Sequence, residues 1–184
     1  MKYLALLRGI NVGGNNIIKK DELKACFEKA GFTNILTYIQ SGNILFESNE
    51  KDINKITNQI EKELANKLKN KIPTLVLSEK NYRNAIKSAP ENWGRKSDKR
   101  YNALFVINGQ TPQELLSTLP EMKNKDEKLH AGIAVLFWET SKEHRTKSFY
   151  STGLVKHPIY KKVTIRNSNT SFKLLELLQK AGGS

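Results

Sequence analysis

Tyr3-Leu4-Ala5-Leu6-Leu7-Arg8-Gly9-Ile10-Asn11-Val12-Gly13-Gly14-Asn15-Asn16 is the stretch from which the fold is read. Its first five residues are apolar without alternation, the pattern of a central strand buried on both faces. Arg8 stops the run, which is too short for a signal peptide or a membrane span. A Gly- and Asn-rich loop, Gly9 to Asn16, follows. Leu23, Phe27 and Ala30 then share one helical face, and Gly31 supplies the residue that ends a helix in the left-handed region. Ile35 to Ile39 and Ile44 to Phe46 read as two strands around the tight turn Ser41-Gly42. Ile53, Ile56, Ile60, Leu64 and Leu68 mark a long amphipathic helix, and Ile72 to Leu77 a further strand. Residues 1–78 thus spell β-α-β-β-α-β, the ferredoxin-like order.

The second half begins the same way. Tyr101 to Ile107 is a strand, and Thr111-Pro112-Gln113-Glu114 is a capping box with proline at the first helical position. Leu115, Leu116 and Leu119 carry that helix to Pro120. Lys128 to His130 and Ile133 to Trp138 form a strand pair around Ala131-Gly132. Residues 140–165 are basic, contain aromatics and resist assignment, and a last helix is expected from Ser171 to Ala181, closed by Gly182. The expected architecture is an α/β (α+β) protein of two ferredoxin-like β-α-β-β-α-β lobes packed into one compact unit. The lobes are residues 1–78 and 101–184, with 79–100, containing Pro90 and Gly94, as the connector. The strands 3–7, 101–107 and 133–138 are apolar on both faces, so each sheet should be covered on both sides. That argues against an RNA-recognition module, which needs an exposed sheet face carrying aromatics.

Composition narrows the class of protein. The chain has 184 residues, 31 Lys+Arg against 18 Asp+Glu, and a formal net charge of +13. That length can bury a full core, so no disulfide or metal is needed to fold it. The lone Cys26 rules out an internal disulfide and reads as a small core residue rather than a reactive thiol. His130, His144 and His157 are far apart and lack metal-ligand spacing, so neither a metal nor a cofactor is expected. Of the basic residues 25 are Lys and 6 Arg, a skew in keeping with AT-rich coding that does not explain the excess over acids. Lys142 to Lys173 holds eight basic residues and one acid, a stretch that attracts phosphates or is simply a solvated face.

Two polar regions can hold chemistry. The loop after the first strand allows close backbone approach, but its GxxxGG spacing matches neither the dinucleotide fingerprint nor the phosphate-binding P-loop. In ferredoxin-like order the first and third strands are adjacent, which brings Arg8 level with the hairpin. Arg8, Asn11, Gly13, Gly14, Asn15, Gln40, Ser41 and Asn43 would then gather at one end of the sheet without an acid among them. Such a set recognises an anion but lacks a general base or a nucleophile–base pair. The second region is Arg166-Asn167-Ser168-Asn169-Thr170 ahead of the last helix. One residue there should cap the helix, and Arg166, Asn167 and Asn169 offer an anion site at its N-terminus that is expected to complete the first pocket from the second half.

At Ala5-Leu-Leu-Arg-Gly-Ile-Asn-Val-Gly-Gly14, Thr37-Tyr-Ile-Gln-Ser-Gly-Asn43 and Arg166-Asn-Ser-Asn-Thr170 the chain resembles a bacterial family catalogued as a domain of unknown function. Members open with ALLRGINVGG and carry a YIQSGN hairpin. The resemblance implies a cytoplasmic α/β protein of two ferredoxin-like lobes and brings no activity. Members usually read RNWNT near the end, where this chain has Ser168 in place of Trp. The functional reading is binding of a phosphate-bearing or anionic ligand, a nucleotide or nucleic acid, at the Gly-rich loop and hairpin. Its rivals are an enzyme using the same pocket on a small polar substrate, and a structural or partner-binding protein. No membrane partner is expected.

Overall fold

A continuous apolar strand needs cover on both faces, and a hairpin behind it needs a turn that a side chain would block. Both demands are met in the computed structural model, which describes residues 1–39, 42–107 and 109–180. Gln40 and Ser41, and the expected close of the last helix at Ala181 and Gly182, lie outside the described residues. The chain divides into two units, Met1–Arg83 with the chain from Leu174, and Asn84–Lys173.

The first unit contains β1 (Lys2–Leu7), α1 (Lys20–Lys29), β2 (Thr33–Tyr38), β3 (Asn43–Glu47), α2 (Ile53–Leu68) and β4 (Thr74–Ser78). Its sheet runs β2-β3-β1-β4, every neighbour antiparallel. This is the ferredoxin-like order expected from the sequence. Tyr3, Ala5 and Leu7 on one face of β1 join a core with Leu23 and Phe27 of α1 and Ile56, Ile60 and Leu64 of α2. On the opposite face Leu4 and Leu6 are also fully buried. Phe27, Phe32 and Phe46 meet at centroid distances of 4.6 to 6.0 Å, an edge-and-tilt cluster that fixes α1 on the sheet. Asp52 caps α2 by accepting from the Asn54 and Lys55 amides.

The second unit repeats the strand order and changes the cover. Its strands are β5 (Lys99–Val106), β6 (Lys128–Ala131), β7 (Val135–Ser141) and β8 (Val163–Asn167), arranged β6-β7-β5-β8 and antiparallel throughout. Helix α4 (Pro112–Ser117), preceded by α3 (Glu79–Lys87) earlier in the chain, starts at the expected Thr111–Glu114 capping box. Where the first unit has α2, the second has a chain of turns: Arg145–Lys147, α5 (Phe149–Thr152), Leu154–Lys156 and Pro158–Lys162. The local sequence explains the interruption. Ser148 and His157 each cap a new turn through their side chains, and Pro158 cannot continue the turn before it. Leu154 and Ile159 pin these turns to Leu104, Leu136 and Trp138 of the sheet.

The segment expected as a connector is more ordered than its Pro and Gly suggest. It begins with α3, and Trp93 is buried against Tyr101, Phe137 and Phe172, its indole N–H donating to the Trp138 carbonyl at 3.2 Å. The last helix, α6 (Ser168–Lys180), starts three residues earlier than its apolar spacing indicates. Asn167 is the reason: its side-chain oxygen accepts from the Thr170 amide at 2.8 Å and caps the helix there.

Candidate functional site

The first polar region sits where the strand order predicts. Leu6 pairs with Asn43, and the Leu7 amide donates to the Gly42 carbonyl at 2.8 Å, so Arg8 is level with the hairpin. Gly42 has φ +74°, and a Cβ there would stand 2.8 Å from the Leu7 Cβ. Only glycine fits that turn. The asparagines, however, largely hold the chain to itself. Asn11 accepts from the Ile18 amide at 2.9 Å and donates to the Ile18 carbonyl at 3.1 Å, closing the loop like a backbone pair. Asn15 and Asn16 donate to the Gly13 and Gly9 carbonyls. Asn43 is buried and donates to the Tyr38 carbonyl at 3.1 Å. Arg8 is half-buried, Gly13 and Gly14 are exposed with left-handed backbones, and Gln40 and Ser41 lie outside the described residues.

The second region opens onto a cavity of about 670 Å³ within the second unit. Arg100 and Asn102 of β5, Trp138 of β7 and Asn167 of β8 stand at one end of the sheet, with Asn102 paired to both Trp138 and Asn167. Gly94 to Ser97 form one wall, and Lys142, Arg145, Tyr150 and Ser151 another. Ser168 and Asn169, at the start of α6, close it. Of the expected site residues, Asn167 and Asn169 therefore line the cavity. Arg166 is not among its lining residues: it is buried and donates to the Thr164 hydroxyl and the Ile165 carbonyl at 3.0 and 2.7 Å.

Charge is the distinguishing feature of this cavity. Arg95, Lys96, Lys99, Arg100, Lys142 and Arg145 line it, and no carboxylate, imidazole or thiol does so among the described residues. Lys99 is paired with Glu139 at 2.6 Å, a bond that holds its ammonium above the usual lysine range. Among the described residues the side chains of Arg95, Lys96, Arg100, Lys142 and Arg145 make no hydrogen bond or ion pair. Five such cations around one hollow raise the local anion concentration and bring donors suited to phosphate oxygens. Burial pushes the Tyr101 and Tyr150 phenols up, so both remain neutral donors at physiological pH.

One buried acid shapes the wall without entering the cavity. Glu127 is 4% exposed, and its carboxylate accepts from the Trp138 indole at 2.7 Å and from the Phe149 and Tyr150 amides at 2.7 and 3.1 Å. It thereby fixes Tyr150, which stacks on Trp138 at 4.4 Å. Nearby, Ser141, His144 and Asp126 form a hydrogen-bonded group that is not a nucleophilic triad. Ser141 Oγ and Asp126 Oδ2 both meet the same nitrogen, Nδ1, at 3.0 and 2.8 Å, whereas a triad needs the two on opposite nitrogens. Cys26 is buried, and burial pushes its thiol up, in keeping with a core role.

The cations at 95–100 were missed in the sequence reading, although the run Arg95-Lys96-Ser97-Asp98-Lys99-Arg100 directly before a strand carried the signal.

A family model described as Protein of unknown function (DUF1697) matches residues 1–137. The chain belongs to this family. It is also similar to a solved structure, the conserved bacterial protein SP0830 from Streptococcus pneumoniae, at 31% identity and a TM-score of 0.85. That likeness covers 96% of this chain and 98% of the other, so both lobes share their fold with the relative. No curated protein matches the chain. Among the described residues no helix is long and apolar enough to cross a membrane.

Proposed function

We propose that the protein binds a phosphate-bearing small molecule of nucleotide size in the cavity of the second unit. The observation that carries this is five cationic side chains that, among the described residues, have no partner and surround a hollow of about 670 Å³ lined by no acid. A hollow of that size falls in the range of small-ligand sites, roughly 300–1,000 Å³. The start of α6, at Ser168 and Asn169, adds helix N–H groups suited to an anion. With no carboxylate, imidazole or thiol among the described lining residues, the cavity is better suited to binding and charge stabilisation than to general-base chemistry. A second reading, nucleic acid, is favoured by the exposed Lys147, Lys156 and Lys161 on the turns beside the cavity. We place the protein in the cytoplasm.

Calorimetric titration with a nucleoside triphosphate, pyrophosphate and a single-stranded oligonucleotide, each at low and high salt, separates these. The triphosphate should bind with modest salt sensitivity. Binding confined to the oligonucleotide, falling steeply with salt, would favour nucleic acid instead. Absence of binding to all three would remove the proposal.

A further inference from the structure

One end of the cavity in the second unit differs in chemistry from its cationic walls. Asn102 lies on β5, the strand between β7 and β8, within the otherwise apolar run Tyr101 to Ile107. Asparagine is disfavoured in strands, because its amide finds few partners there. Asn102 is half-buried, lines the cavity and makes no side-chain hydrogen bond among the described residues. Its register partner on β8 is Asn167, the residue that caps α6 by accepting from the Thr170 amide at 2.8 Å. Cross-strand partners hold their Cβ atoms about 5 Å apart on one face of a sheet. Asn102 is thereby set beside the first turn of α6.

The next residue along, Ser168, supplies the second observation. It is 7% exposed and lines the cavity, and among the described residues its hydroxyl has no hydrogen-bond partner. That hydroxyl keeps some accessible surface, unlike the hydroxyl of Thr140 on β7, which is unpaired and sealed from solvent. A Cβ at Gly94 would stand 3.1 Å from the Ser168 Cβ, so glycine on the cavity wall allows the close approach that buries Ser168. With Asn167 as the cap, the Ser168 and Asn169 amides precede the first bond inside the 13-residue helix. Among the described residues neither amide donates to a carbonyl elsewhere. A nearly buried hydroxyl, two helix amides and a strand amide thus gather at one place, all neutral donors and all unsatisfied. No acid competes for them: Asp98 and Glu143 are exposed and outside the lining, and Glu139 is taken by Lys99. Building on the phosphate reading of this cavity, we infer that the start of α6 anchors a free terminal phosphate group. The ligand is therefore a compound ending in phosphate, and a phosphodiester is disfavoured. A terminal phosphate presents three oxygens and a diester two, and the donors here, with Arg100 on the same face of β5 as Asn102, are enough for three. Arg95, Lys96, Lys142 and Arg145 then meet the rest of the anionic chain.

The test titrates the full chain calorimetrically with adenosine triphosphate and with its γ-phosphate methyl ester, in the parent, Ser168→Ala and Asn102→Ala. Neither substitution removes a side-chain hydrogen bond that the folded chain makes, so both variants should melt close to the parent. The parent should bind the triphosphate about tenfold more tightly than the ester, the worth of one hydrogen bond to a charged oxygen. Ser168→Ala should weaken the triphosphate by about tenfold and leave the ester nearly unchanged, which erases the preference. Asn102→Ala should act in the same direction. A preference that came from the extra charge of the triphosphate alone would survive both substitutions. Parent affinity for the ester equal to or above that for the triphosphate, or a preference undiminished in both variants, would overturn the anchor and leave the cavity reading standing. Failure of the parent to bind either compound would overturn the cavity reading and the anchor with it.

Discussion

The two lobes wind four strands in the same order, β2-β3-β1-β4 and β6-β7-β5-β8, yet they cover their sheets differently. Between its third and fourth strands the first lobe places the 16-residue helix α2, whose Ile56, Ile60 and Leu64 lie on the core at helical spacing. The second lobe fills the equivalent stretch with four short turns held by Leu154 and Ile159. A full helix closes its side of the sheet. A chain of turns leaves one end open, and there the basic cavity sits. Topology is thus shared, while the cover differs, and the large basic cavity lies in the second lobe.

The strongest way to break this comparison is to reverse charge in the open lobe and delete it in the closed one. Arg100→Glu with Arg145→Glu should weaken triphosphate binding by about a thousandfold, since each charge-assisted contact is worth roughly 2 kcal/mol. Arg8→Ala should leave it unchanged. Equal losses in the two variants would end the distinction between the lobes. Glu127→Ala tests how the open lobe keeps its wall. It strands three N–H donors and should cost about 3 kcal/mol, lowering Tm by about 9 °C in a chain of this size. Loss of ligand affinity should accompany it, because Tyr150 and Trp138 lose their anchor.

The closed lobe is sharpened by its hairpin. Gly42→Ala should cost about 2 kcal/mol or more, from a left-handed backbone and a collision with Leu7. Gly9→Ala, with φ +71° and nothing within 4 Å of the new Cβ, should cost only about 1 kcal/mol. Neither should alter triphosphate affinity, as titration of each variant would show. The smallest effect concerns α4, which packs on β6 and β7 of the second sheet. Bonds from Thr111 hold the Glu114 carboxyl below its ordinary value of 4.5. A group lowered on folding stabilises above its unfolded value, and that contribution fades as pH falls through the lower folded value. Melting curves of Glu114→Gln and the parent chain should therefore differ above about pH 4.5 and converge below it.

Much of this was readable in the residues because each element announces itself locally. The unbroken Tyr3–Leu7 run, the spacing of Ile53 to Leu68 and the Thr111–Glu114 box each combine a period with a start or stop signal. Residues 145–162 carry no period, and turns restarted by Ser148 and His157 follow side-chain hydrogen bonds that a pattern of apolar positions cannot show. Trp93 was hidden for a related reason: Pro90 and Gly94 signal a turn and say nothing of what the turn buries. The candidate site was legible in part. Asn167 and Asn169 and the basic stretch from Lys142 were visible, but the meeting of Arg95 and Arg100 with them depends on strand register across β5, β7 and β8. Conversely, Asn11 and Asn43 looked like free donors, because a sequence does not reveal which amides a loop uses to hold itself closed.

The placement of Trp93 and Trp138 has a practical consequence. The chain has two tryptophans, and both are buried in the second unit, while its single thiol is buried in the first. Intrinsic fluorescence therefore watches one half of the molecule, and thiol labelling at Cys26 watches the other. Unfolding followed by both at once would report, without any engineered label, whether the two halves come apart as one cooperative body or in sequence.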